Sequence, residues 1–448
     1  MMADLDLLSR ILLGLIAAAG LIFVLLLSLK FPRQVFWAVF FFRPLLEMSR
    51  LIRGQEALVQ TIINGVGIGV PAVLFLVLIL RRKAAAVDLW LPLAFVVVLL
   101  ASAAFHEKDL KMVEVLVRIL TPAVFLIFPS LIMTSEKDVR TFLRVVAFST
   151  VFVLIALYLD RGRTNVHPLY GWVQDAVRLA SGEMQSRLAS VFGVPTMTAY
   201  WVFQFFAVAY FLFDTERSAA RFLALGVWVI LLAPLYLAFS RATWIGCLVI
   251  LVGYNVLKGR RRVMAILLSA TAVVTVVLLP NILQRLQDPT TIGYRFDVWS
   301  GYIRSLAARG GFAWLTGMGF ANLPEKNIYT GNLYSPGATG QVENSFVFLL
   351  AGAGVVAAVL FILLAWDLAR RAWWLRTKGT TSFVRDFGAW SLALLSVWLV
   401  MGMVGDMVTY VVINWYWYAF FGCLLAMWRL QKNAAPAGPA PHPVPGAA

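Results

Sequence analysis

Residues 344–366 read NSFVFLLAGAGVVAAVLFILLAW, twenty-three consecutive residues without Asp, Glu, Lys, Arg or His. As a helix rising about 1.5 Å per residue, such a run is ~35 Å long, enough to cross the ~30 Å hydrocarbon core of a bilayer. Working outward, a cut at every Asp, Glu, Lys and Arg and at His106 leaves twelve long uncharged runs in the 448-residue chain: 11–29, 57–80, 89–105, 119–135, 145–159, 188–213, 222–240, 242–257, 263–284, 344–366, 387–405 and 407–428. In hydrocarbon no irregular backbone satisfies its own hydrogen bonds, so runs of 15 to 26 residues are read as helices.

Composition points the same way. Apolar residues make up 61% and charged residues 13% of the chain, against roughly 45–50% and 25% in an average soluble domain. That excludes an ordinary soluble enzyme and leaves room for at most about 13 spans. The net charge of +16 is assigned to cytoplasmic loops and anionic lipid headgroups, with no nucleic acid as partner. Cys247 and Cys423 lie inside apolar runs and offer neither a disulfide framework nor a metal cluster. The first run is no cleavable signal, because Asp4 and Asp6 flank it with only Arg10 and its 19 residues exceed a signal peptide's apolar region.

Basic residues orient the helices. Nineteen Lys and Arg in short connections, among them Arg81, Arg82, Lys83, Arg140, Arg144, Lys258, Arg260, Arg371 and Lys432, fall on one side, and only Lys108, Lys111, Arg118 and Arg241 on the other. The rich side is predicted to be cytoplasmic. Segment 31–53 is apolar but interrupted by Arg33, Arg43, Glu47, Arg50 and Arg53; if it spans, there are thirteen helices, and if it lies in the interface, twelve. The expected fold is therefore all-α, a polytopic membrane protein of 12 to 13 transmembrane helices in a single domain over residues 1–433. A Pro/Ala-rich tail at 434–448 is expected to be disordered. The two long connections, 160–187 and 285–343, fall on the extracytoplasmic side, and function is expected there, since a long loop in a compact domain usually has a task.

Candidate residues cluster in and around those connections. SRLASVFGVPTMTAYW (186–201) carries Arg187 one residue before an uncharged run, either snorkelling to headgroups or aimed at a phosphate, with Gly193 and Pro195 bending the chain. In FSRATWIG (239–246) Arg241 is the sole charge between two apolar runs, a solvated turn or a bidentate grip on phosphate oxygens. GYRFDVWSGYIRSLAAR (293–309) predicts an amphipathic helix whose stripe is Phe296, Trp299, Ile303 and Leu306, with Arg295 and Arg304 beside it. Gly317 and Gly319 in LTGMGF (315–320) mark a turn or a close approach to a ligand. Glu343 and Asn344 in QVENSFVFLLAGAGVV (341–356) either cap the following helix, or Glu343 accepts a proton from a sugar hydroxyl. Should Glu343 not be the base, Asp297, Glu325 and Asp175 are the alternatives. Glu114 with Arg118 and Arg43 with Glu47 are spaced as helical ion pairs. There is no P-loop, CxxC or HExxH, and His106, His167 and His442 lack ligand spacing, so neither metal nor cofactor is expected.

Together, RLASVFGVP with Arg187, SRATWIG with Arg241, RFDVW with Arg295 followed by GMGF, and ENSFVFLLAGAG resemble the O-antigen ligase and polymerase superfamily of bacterial membrane glycosyltransferases. The resemblance covers roughly residues 185–365. It implies an inner-membrane helical fold with a large periplasmic loop containing short helices and an active site facing the periplasm. It also implies a polyprenyl-diphosphate-linked glycan donor such as an undecaprenyl diphosphate, arginines on the diphosphate, no metal, and transfer with inversion to the hydroxyl of a glycan or lipid-linked acceptor. Ligases of the family usually carry His beside Asn where this chain has Glu343 and Asn344, which favours a repeat-unit or exopolysaccharide-type polymerase over a lipopolysaccharide ligase. The competing class is a lipid-linked oligosaccharide flippase, which would place ionisable groups at mid-membrane and repeat its halves.

Overall fold

The computed structural model describes residues 20, 22–48, 56–80, 89–106, 122–161, 176–178, 184–186, 195–217, 219–238, 240–269, 272, 276, 289–320, 344–405 and 411–434. The labelled helices are α1 (Pro32–Met48), α2 (Glu56–Leu80), α3 (Trp90–His106), α4 (Pro122–Ile132), α5 (Glu136–Arg161), α6 (Pro195–Thr215), α7 (Ala219–Leu237), α8 (Arg241–Leu257), α9 (Pro289–Ala308), α10 (Gly311–Thr316), α11 (Ser345–Lys378), α12 (Ser382–Val404) and α13 (Val411–Ala434). The all-α expectation has one exception: strands β1 (Ala176–Arg178) and β2 (Met184–Ser186) pair antiparallel, with Val177 opposite Gln185. They lie in the first long connection, where a partner strand satisfies backbone groups as well as a helix does.

Five helices are long and apolar enough to cross a membrane among the described residues: Glu136–Leu157, Thr196–Thr215, Ala219–Leu237, Ser345–Lys378 and Ser382–Val404. Gly65–Leu78, Trp90–His106, Pro122–Ile132 and Arg241–Leu257 are shorter apolar helices. α6 is buried along its whole inner length from Tyr200 to Leu212, as a helix apolar all round must be. α12 and α13 pack about it through aromatic side chains. Phe203 stacks on Trp417 at 6.0 Å, Phe211 meets Trp390 at 5.1 Å, and Trp390 donates to the Ala207 carbonyl at 3.1 Å. By contrast α7 turns Phe222 and Ile230 outward, and α3 exposes Val97 and Phe105, the surface a helix presents to lipid.

Charges gather at one end of the bundle. Arg144 grips Glu216 at 2.7 Å, Lys258 bridges Asp214 at 2.6 Å and Asp386 at 2.7 Å, and Arg260 pairs with Asp214 as well. Thr381 donates to Glu136 at 2.7 Å, Arg376 to the Leu257 carbonyl at 2.8 Å and Arg429 to the Met133 carbonyl at 2.6 Å. These bonds bring the start of α5, the ends of α6, α8, α11 and α13 and the start of α12 together. The other ends, Pro195, Arg241, Ser345, Val404 and Val411, therefore lie away from this basic end. α11, ~50 Å long for its 34 residues, reaches past the apolar zone here, and Arg376 and Lys378 sit in its last turn, where cations suit the negative helix end.

Within segment 31–53, Pro32–Met48 form α1, whose Phe36 and Phe40 are fully buried against Phe125 and Phe142. The expected Arg43–Glu47 pair is present at 2.6 Å, with side chains 3% and 0% exposed and the guanidinium 4.4 Å from the Trp415 ring centroid. Glu114 and Arg118 lie outside the described residues.

Candidate active site

At the end of the bundle away from the basic cluster, the long helix α11 breaks. Gly354 has φ 85° and ψ 178°, separating a short first piece from the long remainder. The break takes the carbonyls just before it out of register with donors four residues on, and inside a membrane such groups must find other partners. They do: Met318 N–H donates to the Ala351 carbonyl at 2.7 Å and Gly319 N–H to the Gly352 carbonyl at 3.0 Å. From α3, Ser102 Oγ reaches the Gly352 carbonyl at 3.2 Å and the Thr316 carbonyl at 2.9 Å, and one turn on His106 Nε2 lies 3.1 Å from Thr316 Oγ1.

Glycine is required on both sides of this contact. Gly317 has φ 79°, and a Cβ there would run into the Gly352 carbonyl; one on Gly354 would run into the Leu315 carbonyl. Gly317 and Gly319 form a turn, with φ 79° and 84°, and the group they approach is the α11 backbone.

Asn344 closes the first turn of α11, its Oδ1 accepting from Phe346 N–H at 2.9 Å and Val347 N–H at 3.1 Å. The capping role falls to Asn344, and its Nδ2 has no partner among the described residues. Ser345 Oγ donates to the Gly405 carbonyl at 3.2 Å, joining the start of α11 to the end of α12.

The amphipathic helix α9 packs here, but on a different stripe from the one read in the sequence. Val298, Tyr302 and Leu306 are buried with Ala313, Met318 and Ala351, whereas Phe296 and Ile303 are exposed and Trp299 is half-buried. Leu306 is common to both stripes. The helix is apolar over two faces, and the sequence pattern alone does not say which meets protein. Arg295 and Arg304 are nine residues apart, half a turn out of phase: Arg295 is half-buried and Arg304 exposed, so they do not serve one ligand from one face. Asp297 is exposed too.

Arg241 opens α8, half-buried, at the tip of the α7–α8 hairpin, where Trp244 Nε1 donates to the Leu235 carbonyl at 3.1 Å and Thr243 Oγ1 to Ser240 at 3.0 Å. Gly246 lets α8 lie close on Met401 and Val397 of α12, next to the Gly402 that abuts Ser345. α8 and the start of α11 thus both pack on the C-terminal part of α12. Arg187, Glu343, Glu325 and Asp175 lie outside the described residues.

The structure gathers Asn344, Gly317, Gly319 and Trp299 about the broken helix and adds Ser102, His106, Ser345, Gly352 and Gly354, which sequence reasoning passed over. A signal was present: Ser and His four residues apart at the end of an uncharged run, and two glycines in AGAG where the span begins. Among the described residues no three His, Cys, Asp or Glu side chains cluster, and Cys247 and Cys423 are free thiols.

A helical membrane protein with a broken helix and a glycine turn at one end of its bundle is the class that fold and site define. Residues 225–362 match the family model described as O-antigen ligase. The match runs from within α7 to within α11 and supports the resemblance to the ligase and polymerase superfamily. Arg241, Arg295, Gly317, Gly319, Glu343 and Asn344 all fall inside the matched stretch, and Arg187 precedes it. A comparison with curated proteins returned no match.

Proposed function

We propose that the protein is an inner-membrane glycosyltransferase of 12 to 13 spans that transfers or polymerises a polyprenyl-diphosphate-linked glycan at the periplasmic face, without a metal. The observation that carries this reading is the docking of the GMGF turn on the broken start of α11, inside the O-antigen ligase match and at the end of the bundle opposite the basic cluster. Broken helices at membrane depth are kept where they line a cavity or a site.

In this reading the acceptor hydroxyl oxygen attacks the anomeric carbon and the bond from that carbon to the diphosphate oxygen breaks. The configuration inverts, the hydroxyl proton passes to the Glu343 carboxylate, and polyprenyl diphosphate leaves. The diphosphate is already a good leaving group, so the protein's tasks are positioning, charge neutralisation and removal of one proton. Arg187, Arg241 and Arg295 neutralise the diphosphate, the Nδ2 of Asn344 orients the acceptor, and Trp299 offers an aromatic face to a sugar ring. Arg304, on the opposite face of α9 from Arg295, is assigned to the lipid surface instead. The Glu343 carboxylate in place of His favours polymerisation of repeat units.

The buried Arg43–Glu47 pair favours a second reading, a lipid-linked glycan flippase, since ionisable residues inside a membrane commonly mark a transport path. Purified protein in detergent, given lipid-linked repeat units and an acceptor in one compartment, separates the two. Release of polyprenyl diphosphate with a lengthened glycan supports the transferase. Absence of turnover, together with movement of the lipid-linked glycan between leaflets of proteoliposomes, supports the flippase.

A further inference from the structure

A cavity of about 280 Å³ opens at the basic end, far from the broken helix, lined by Lys30 and Arg33 before and within the first turn of α1, by Val77 and Leu78 of α2, and by Leu131 and Ile132 of α4. Its volume is far above the ~10–15 Å³ that admits a single water. The four aliphatic side chains are buried and Lys30 is exposed, so the lining runs from apolar to charged.

The hydrogen-bond inventory of this lining leaves donors in surplus. Asp138 is already engaged: it accepts from Arg33 Nη1 at 2.9 and 3.0 Å, from Thr134 N–H at 2.9 Å and Oγ1 at 3.1 Å, and from Ser135 N–H at 3.0 Å. That set fixes Arg33 through one nitrogen, Nη1, which also reaches Thr134 Oγ1 at 3.2 Å. Nε and Nη2 of Arg33 have no acceptor among the described residues. Lys30 Nζ has only the Phe31 ring, 5.3 Å away, and no carboxylate among the described residues. Two cations face one occupied carboxylate, so the ligand this lining fits is an anion with acceptor oxygens, joined to an apolar body that suits Val77, Leu78, Leu131 and Ile132.

We propose that the cavity is a binding site for an anionic phospholipid, its phosphodiester held by Lys30 and the open edge of Arg33 and its acyl chains against the aliphatic wall. The other basic clusters of the bundle gather at the same end, where an anionic leaflet concentrates such lipids. Basic pockets between membrane helices are suited to these headgroups. This site is independent of the glycan chemistry assigned to the opposite end.

The test uses the whole protein in nanodiscs of phosphatidylcholine, with and without phosphatidylglycerol, and in detergent with inorganic phosphate alone. Native mass spectrometry should show one phosphatidylglycerol retained after extensive delipidation, and phosphatidylglycerol should raise the melting temperature. Lys30→Gln removes an exposed ammonium without touching the Arg33–Asp138 anchor and should weaken retention about fivefold, the weight of one basic residue at an anionic surface. Arg262→Gln removes an exposed charge at the same end, just beyond α8, which packs mainly on α6, α7 and α12, and should leave retention unchanged. Equal retention of the two lipids, equal loss in both variants, or a melting shift reproduced by inorganic phosphate alone each overturns the proposal.

Discussion

Replacing Gly354 by Ala puts the break in α11 to a direct test. At φ 85° and ψ 178° the backbone lies in a region essentially reserved for glycine, and holding Ala there costs about 1–3 kcal/mol. The new methyl would also run into the Leu315 carbonyl, so the end of α10 must move. That movement opens the Met318–Ala351 and Gly319–Gly352 bonds at 2.7 and 3.0 Å, each contributing about 0.5–1.5 kcal/mol. Together they give about 2–6 kcal/mol against the docked turn, enough to leave it mostly undocked while the aromatic core around α6 stays folded. A catalytic geometry displaced by ~1 Å loses about 10²-fold, so glycan transfer by purified Gly354→Ala should fall by at least that factor. Hydrogen exchange over residues 315–320 should rise with little change elsewhere. Gly226→Ala is the control: Gly226 lies within helix α7 with no neighbour within 4 Å of an added Cβ, and the exchange should be neutral or stabilise by up to ~1 kcal/mol. Wild-type turnover and exchange in Gly354→Ala would refute the argument that the break holds the site together.

Glu343→Gln should retain donor binding and protein level while turnover drops about 10²–10⁴-fold, the usual weight of a general base, and Glu343→His should recover part of it; full activity in Glu343→Gln moves the base elsewhere. Arg241→Lys should already impair turnover because an ammonium cannot reproduce the bidentate fork, and Arg241→Ala should lose roughly 2–5 kcal/mol of transition-state binding; unchanged kinetics would reduce Arg241 to a turn residue. With Cys247 and Cys423 replaced by Ser, a cysteine introduced as Ser335→Cys should be labelled by an impermeant maleimide from outside intact inner-membrane vesicles of periplasmic orientation, and labelling from the cytoplasmic face alone would reverse the proposed topology.

What the sequence determined by itself is the part of the protein set by hydrocarbon. Long uncharged runs satisfy their backbone groups in a membrane by forming helices, and the runs at 188–213, 222–240, 242–257 and 387–405 reappear as α6, α7, α8 and α12. Arg43 and Glu47 were legible as a pair because helical spacing of three to four residues suffices to place them together. Gly317 and Gly319 could be marked as a turn because glycine is itself a local conformational signal.

Tertiary structure decided what depends on a neighbour distant in sequence. The amphipathic helix α9 has two apolar faces, and only its packing on Ala351 and Met318 selects Val298 and Tyr302 over Phe296 and Ile303. Ser102 and His106 carry no motif; their role arises because Thr316 and Gly352, more than two hundred residues away, present an oxygen to each of them. The break at Gly354 is of the same kind. Glycine permits it in many helices, and here the Leu315 and Gly317 backbone fills the space a Cβ would take, so the carbonyls the break frees find their donors in a turn that the sequence places in another loop.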